Sequence, residues 1–247
     1  MDGSEDYFSQ FTEVRDYQCP TPVTADKEVF IGWSTQPDDA KNATLTIEKG
    51  TKKELKLYAQ FVSIENLSIT PDSWTLNSDA SATSGKFIFR IAGIDPDFVE
   101  LEFDELVSVG KIGDNVYCIS GNSKENSTSV IKGTIGNLSF VIPITFRDMP
   151  NILTLPTAMK EIKAEAFMNN ERINGVSISG NKLTEIGSGA FKNCTELYFI
   201  ELPNSVTTIA EDAFEGSPNV QFYCEDNSYA AEYADAHGIP HSPKYEE

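Results

Sequence analysis

Glu185-Ile-Gly-Ser-Gly-Ala-Phe-Lys-Asn-Cys-Thr-Glu-Leu197 and, shortly after it, Val206-Thr-Thr-Ile-Ala-Glu-Asp-Ala-Phe-Glu-Gly-Ser-Pro-Asn-Val220 decide the fold of this 247-residue chain. Each carries an Ala-Phe pair, and a third copy lies upstream. Ala166-Phe167, Ala190-Phe191 and Ala213-Phe214 recur at intervals of 24 and 23 residues. The isoleucine four positions before each alanine keeps step, as Ile162, Ile186 and Ile209. So do Met159, Leu183 and Val206, and then Ile173, Leu197 and Val220. A repeat of this kind falls within the roughly 20–29-residue period of leucine-rich repeats. A single unit cannot bury its own apolar face, so neighbouring units must stack. Residues 155–224 are therefore predicted to form a short solenoid.

Each unit reads in parts. Ile173-x-x-Val176-x-Ile178 and Leu197-x-x-Ile200-x-Leu202 alternate and are expected to be parallel strands. The Ala-Phe pairs fall in short helical turns on the opposite side, with the phenylalanines in a buried column and the small alanines letting adjacent coils approach. Asn181 and Asn204 follow the strands, where asparagine tolerates left-handed geometry. Ala230, Tyr233 and Ala234 are spaced i, i+3, i+4 ahead of Gly238, as suits a helix that covers the open end and stops at the glycine. The wording of the units, with Leu-Pro openings at Leu155-Pro156 and Leu202-Pro203 and the Ala-Phe centres, resembles the Treponema-type, or BspA-like, leucine-rich repeats. The resemblance covers residues 155–240, the cap included. It implies a secreted or surface-attached bacterial protein with an adhesive or matrix-binding role.

Upstream the chain is β-rich. Glu28 to Trp33 and Leu55 to Phe61 alternate apolar and polar residues, as half-buried strands do, and Gly50 fits a turn between them. The pattern Phe30-x-Gly32-Trp33 followed by Leu57-Tyr58-Ala59-Gln60-Phe61 is similar to the Listeria–Bacteroides repeat, a β-grasp-like module of bacterial surface proteins. It departs in ending on Phe61 rather than tryptophan and in lacking the opening glycine-rich hairpin. Between Val62 and Asp148 about seven apolar-alternating runs recur, including Ser73-Trp-Thr-Leu76, Lys86 to Ile91 and Leu138 to Phe146. They suggest a sandwich of immunoglobulin type without the Cys…Trp…Cys spacing of antibody domains, Trp74 being a core residue. The fold expected is thus multidomain: a partial β-grasp-like module at 1–61, an immunoglobulin-like β-sandwich at 62–148, and a capped solenoid at 149–243.

Composition and chemistry narrow the function. With 38 acidic against 19 basic residues the net charge is −19, which repels phosphate backbones and anionic membranes, so no nucleic acid partner is expected. No run of eighteen apolar residues is present, so no membrane insertion is expected either. The opening MDGSEDYFSQFTEVRDYQCP is acidic and polar and is not a signal peptide, so the chain is either cytosolic or a piece without its leader. Asp95-Pro96-Asp97 is the nearest thing to a calcium loop and lacks its spaced ligands and turn glycine. Cys19, Cys118, Cys194 and Cys224 show no C-x-x-C spacing, which speaks against zinc. Cys194 and Cys224, one repeat apart, are either small buried apolar residues or a disulfide pair. The only histidines, His237 and His241, are separated by Gly238 and Pro240 and do not share a helix. Gly187-Ser188-Gly189 lacks the setting of a nucleophile elbow and reads as a turn. No enzyme activity, cofactor or metal is expected.

A non-enzymatic, adhesin-like protein at the cell surface or secreted, monomeric and binding a protein or glycan ligand, is the expectation. The candidate binding residues are Ser177, Phe199, Glu201 and Tyr223, with Gly175 and Gln221 beside them, at outward positions between the buried strand residues. Phe199 is the exposed aromatic expected to anchor a ligand, the competing reading being that it packs on a neighbouring domain or coil. The alternative function is a structural stalk whose binding module lies elsewhere in a longer protein.

Overall fold

A computed structural model describes residues 16–49, 55–78, 86–121, 123 and 126–244. The acidic opening residues up to 15 and Gly50 lie outside them. The chain forms two compact units, one of Met1–Ser68, Ile91–Glu102 and Lys132–Val141, the other of Ile69–Arg90, Phe103–Ile131 and Ile142–Glu247.

The N-terminal strands are β1 (Tyr17–Gln18), β2 (Glu28–Ser34), β3 (Thr46–Ile47) and β4 (Tyr58–Ser63), paired β1 with β3 and β2 with β4, both antiparallel. The alternating runs seen in sequence are thus β2 and β4. Their small core is Cys19, Phe30, Trp33 and Ile47, with Phe30 edge-on to Trp33 and tilted against Phe61, both at 5.8 Å between ring centres. Trp33 closes it by donating its indole N–H to Pro20 O at 2.8 Å. Gly32, between those two aromatic residues, sits at a bulge with φ of 146°, and a Cβ there would lie 2.9 Å from Thr44 N. Only glycine fits that backbone and that approach.

Eight strands follow: β5 (Ser68–Thr70), β6 (Trp74–Asn77), β7 (Lys86–Ala92), β8 (Glu100–Glu102), β9 (Val107–Gly113), β10 (Val116–Gly121), β11 (Ser127–Ile135) and β12 (Leu138–Arg147). They make two four-stranded sheets, β5-β7-β10-β9 and β6-β12-β11-β8. Strand β9 carries no sequence signal, because only Val107 of its seven residues is buried. Pairing of β6 with β12 is parallel, from Trp74 opposite Ile144 to Asn77 opposite Arg147. Trp74, buried as expected of a core residue, stacks on Phe87 of β7 at 4.8 Å.

The C-terminal part is a β-solenoid. Strands β13 (Ile152–Leu155), β14 (Glu161–Ile162), β15 (Gly175–Ile178), β16 (Glu185–Ile186), β17 (Phe199–Glu201), β18 (Thr208–Ile209) and β19 (Gln221–Tyr223) come first. Helix α1 (Tyr229–His237) and β20 (His241–Ser242) close the chain. Two parallel walls result, β13-β15-β17-β19-β20 and β14-β16-β18. Between them lie Ile162, Val176, Leu183, Ile186, Ile200, Val206, Ile209 and Phe222, the periodic positions, all buried. Each large apolar side chain so buried stabilises by about 1.5–3 kcal/mol relative to exposure.

The Ala-Phe segments form chains of tight turns rather than helix, such as Ala166 N–H to Lys163 O at 3.2 Å and Met168 N–H to Glu165 O at 3.2 Å. Their phenylalanines do stack, Phe167 on Phe191 at 5.1 Å and Phe191 on Phe214 at 5.3 Å. The asparagines with left-handed backbone are Asn169 (φ 60°) and Asn193 (φ 58°) in this turn column, joined Nδ2 to Oδ1 at 2.9 Å. Asn181 and Asn204, expected to take that geometry, do not. Helix α1 is the only α-helix among the described residues, and none is long and apolar enough to cross a membrane. Ser228 caps its start by accepting from Ala231 N–H, and Gly238 ends it in the left-handed region.

Candidate functional site

Parallel register across the strand wall sets the six outward candidates in two rows. Gly175, Phe199 and Gln221 lie side by side on β15, β17 and β19, and Glu201 lies opposite Tyr223. Ser177 joins that second row by donating its hydroxyl to Glu201 Oε2 at 2.6 Å. The structure therefore brings the predicted residues together.

It does not expose them. Phe199 is 0% accessible and Tyr223 2%, with Gln221, Ser177 and Gly175 also buried, which overturns the reading of Phe199 as an exposed anchor. The ring of Phe199 lies over Gly175, where a Cβ would come within 2.1 Å of it, and meets Tyr223 edge-on at 5.9 Å. Tyr223 in turn meets Trp74 at 5.4 Å, and its hydroxyl accepts the indole N–H at 3.2 Å. Gln221 binds the backbone of β6 in both directions. Its Oε1 accepts from Thr75 N–H at 3.0 Å, and its Nε2 donates to Thr75 O. At the next strand Ser242 does the same to Ile88, accepting from its N–H at 2.9 Å and donating to its carbonyl, while Arg90 pairs with Asp226 at 2.6 Å. A row that reads as a binding face is a seam between sheets, with side-chain amide and hydroxyl standing in for missing backbone partners.

Glu201 is the exception. Its side chain is 13% exposed, and its Oε1 pairs with Lys244 Nζ at 2.8 Å while Ser177 holds Oε2. The pair borders a groove of about 690 Å³ flanked by Asn181, Asn204 and Glu225, with Ile178 and Leu202 among its apolar residues. Asn181 and Asn204 are exposed, one coil apart, and each offers a carbonyl acceptor and an amide donor pair. The groove can thus recognise hydroxyls or amides at fixed spacing. Lys244 was invisible to sequence reasoning, since it arrives through β20 and belongs to no repeat.

Reactive chemistry is suppressed around it. Burial pushes the Cys224 thiol up to about 12 and the Tyr223 phenol well above its usual value. The Cys194 thiol is also raised by burial, and it donates to Phe167 O at 3.1 Å. Cys194 and Cys224 are free, buried thiols, which is the first of the two readings their spacing allowed. Neither is a thiolate nucleophile at neutral pH. His237 ends α1 and His241 lies in β20, so the two histidines do not share a helix. Among the described residues no group of three or more His, Cys, Asp or Glu is arranged for a metal. Asp95 and Asp97 face the Lys41 ammonium at 3.2 and 2.9 Å, a cation the chain supplies itself.

Comparison with known proteins gives one family match, over part of the chain. Residues 111–230 match, in six copies, the family described as BspA type Leucine rich repeat region. The match opens in β9, upstream of the first coil. A search of curated proteins finds no match. Among solved structures, domains 6-7 of the surface layer protein SbsC align at 15% identity and a TM-score of 0.27. The alignment covers 43% of this chain and 56% of that one, so this chain spans little over half of its length, and a likeness at that score carries no argument.

Proposed function

We propose, from the match of residues 111–230 to the family described as BspA type Leucine rich repeat region, a non-enzymatic, adhesin-like protein of a bacterial cell surface or secreted fraction. It binds a protein or glycan of a host or the environment. The observation that carries the reading is the polar groove beside the Glu201–Lys244 pair, the accessible part of the strand wall. Paired carboxylate and ammonium at its edge, with two exposed carboxamides, suit a neutral ligand rich in hydroxyls or amides, held by many modest hydrogen bonds. The modular order read from the sequence is in keeping with this: a Listeria–Bacteroides-like module at 1–61, an immunoglobulin-like sandwich at 62–148 and the solenoid at 149–243.

An array of glycans and host proteins probed with the chain tests it. Signal is expected for one ligand class, falling roughly tenfold in the Asn181→Ala/Asn204→Ala variant, which removes exposed groups only. A silent array, or a signal the variant leaves intact, overturns it. Phe199→Ala does not serve as the test, because that residue is core. A stalk is the second reading, favoured by the seam itself: Tyr223, Gln221 and Ser242 lock the solenoid to β6 and β7, as a rigid spacer requires.

A further inference from the structure

Successive coils are joined along the turn column by a backbone ladder. Phe167 N–H donates to Ala190 O and Asn169 N–H to Lys192 O, each at 2.8 Å. One coil later Phe191 N–H donates to Ala213 O and Asn193 N–H to Glu215 O, again at 2.8 Å. The carbonyls that accept flank the phenylalanine of the next coil. In the last coil the same two donors are Phe214 N–H and Gly216 N–H, Gly216 keeping the left-handed φ (73°) of Asn169 and Asn193. From here the chain runs on through β19 to α1, and among the described residues nothing accepts from either. Phe214 is buried and Gly216 exposed, so this end of the ladder is open to an acceptor from outside the chain, water or a peptide carbonyl.

The ring column breaks at the same place. Phe167, Phe191 and Phe214 are parallel to within 14° and 9° at each step, but the other rings beside Phe214 are tilted, Phe222 by 60° at 4.9 Å and Tyr233 of α1 by 59° at 6.2 Å. Tyr233 is held there by donating its hydroxyl towards Ala210 O and Glu211 O at 3.2 Å. The cap therefore covers the end of the solenoid without filling the next position of the stack. A groove of about 490 Å³ remains, with Phe214, Val220, Tyr233 and Ile239 in its lining and Glu211 and Asp212 at its edge.

The geometry points to this groove as a docking site for a segment of a partner polypeptide, an aromatic residue flanked by lysine or arginine. The aromatic ring enters beside Phe214, as Phe214 itself lies against Phe191. The carbonyls before and after it accept from Phe214 N–H and Gly216 N–H, the mode by which a peptide extends an open backbone edge. Basic neighbours meet Glu211, which is 95% exposed at its side chain with His237 Nε2 facing it at 3.6 Å, on a chain of net charge −19. The inference is independent of the Glu201 groove and stands on other residues.

The test uses the full chain, isotopically labelled, with a fluorescein-labelled peptide Lys-Gly-Ala-Phe-Lys-Asn-Lys. Saturable binding is expected below about 1 mM, with the Phe214 and Gly216 amide resonances moving downfield and their hydrogen exchange slowing, while those of Phe191 and Asn193 stay put. Replacing the peptide phenylalanine by alanine is expected to weaken binding at least roughly tenfold. Glu211→Lys, at an exposed position that leaves folding intact, weakens it several-fold and removes its salt dependence. Absence of saturation, or binding that leaves the two amides unmoved, overturns the inference. So does concentration-dependent self-association, without peptide, that buries those amides, since a second copy is then the occupant.

Discussion

Phe191 and Phe199 are phenylalanines of the same coil, eight residues apart, and both are wholly buried. They reached that state by different routes. Phe191 lies in the turn column between Phe167 and Phe214, and every ring there is matched by one a repeat away. Phe199 occupies the outward side of the strand wall, and its equivalents are a glycine and a glutamine, Gly175 and Gln221. Its burial depends on Tyr223, and Tyr223 depends on Trp74, 149 residues away in sequence. Repetition buried the first residue; docking buried the second.

Breaking the column is expected to have the largest effect. Phe191→Ala removes the middle ring of the stack and leaves a cavity flanked by two rings, costing about 3–5 kcal/mol in urea denaturation. A loss under about 1 kcal/mol would show that the column is not the core of the solenoid. Opening the seam comes next. Gln221→Ala strands the Thr75 N–H and carbonyl, for about 1–3 kcal/mol, and is expected to raise exchange at the Thr75 amide while leaving Phe191 protected. If both regions loosen together, the seam and the column are one cooperative element.

Alkali sharpens the contrast between the strand wall and the turn column. The unfolded Cys224 thiol titrates near the ordinary value of 9.0 and the folded one near 12, because burial disfavours the thiolate. Between those values the unfolded chain has released a proton that the fold retains. Stability contributed by this group is present below pH 9 and falls by up to about 1.4 kcal/mol per pH unit above it. Cys224→Ala is expected to flatten that limb of a stability–pH curve, and Cys194→Ala, in the turn column, to flatten it less. The smallest effect belongs to the surface of the column. Lys192 pairs with Glu215 at 2.6 Å, yet both lie towards solvent, and Lys192→Gln is expected to leave the thermal midpoint unchanged.

Much of the solenoid is legible in the sequence. The 24- and 23-residue spacing placed Ile162, Ile186, Ile209 and the pairs Ala190-Phe191 and Ala213-Phe214 in the core, while in the first coil Phe167 is half-buried and Ala166 exposed, and Gly238 marked the end of the capping helix. Alternation located β2, β4 and most strands of the two middle sheets. It missed β9, whose exposed residues and two glycines leave no pattern. It also put left-handed backbone at Asn181 and Asn204 instead of Asn169 and Asn193, since asparagine marks turns without distinguishing which turn reverses φ.

The candidate site was legible only as a set of positions. Sequence alone determined that Ser177, Phe199, Glu201 and Tyr223 share one side of one wall, because a repeat copies the same short-range geometry from coil to coil. Tertiary structure decided which of them meet solvent. That depends on Trp74, Thr75 and Ile88 pressing on β19 and β20, and on Lys244 returning to Glu201. Contacts between segments some 150 residues apart have no period, so no spacing in the chain announces them.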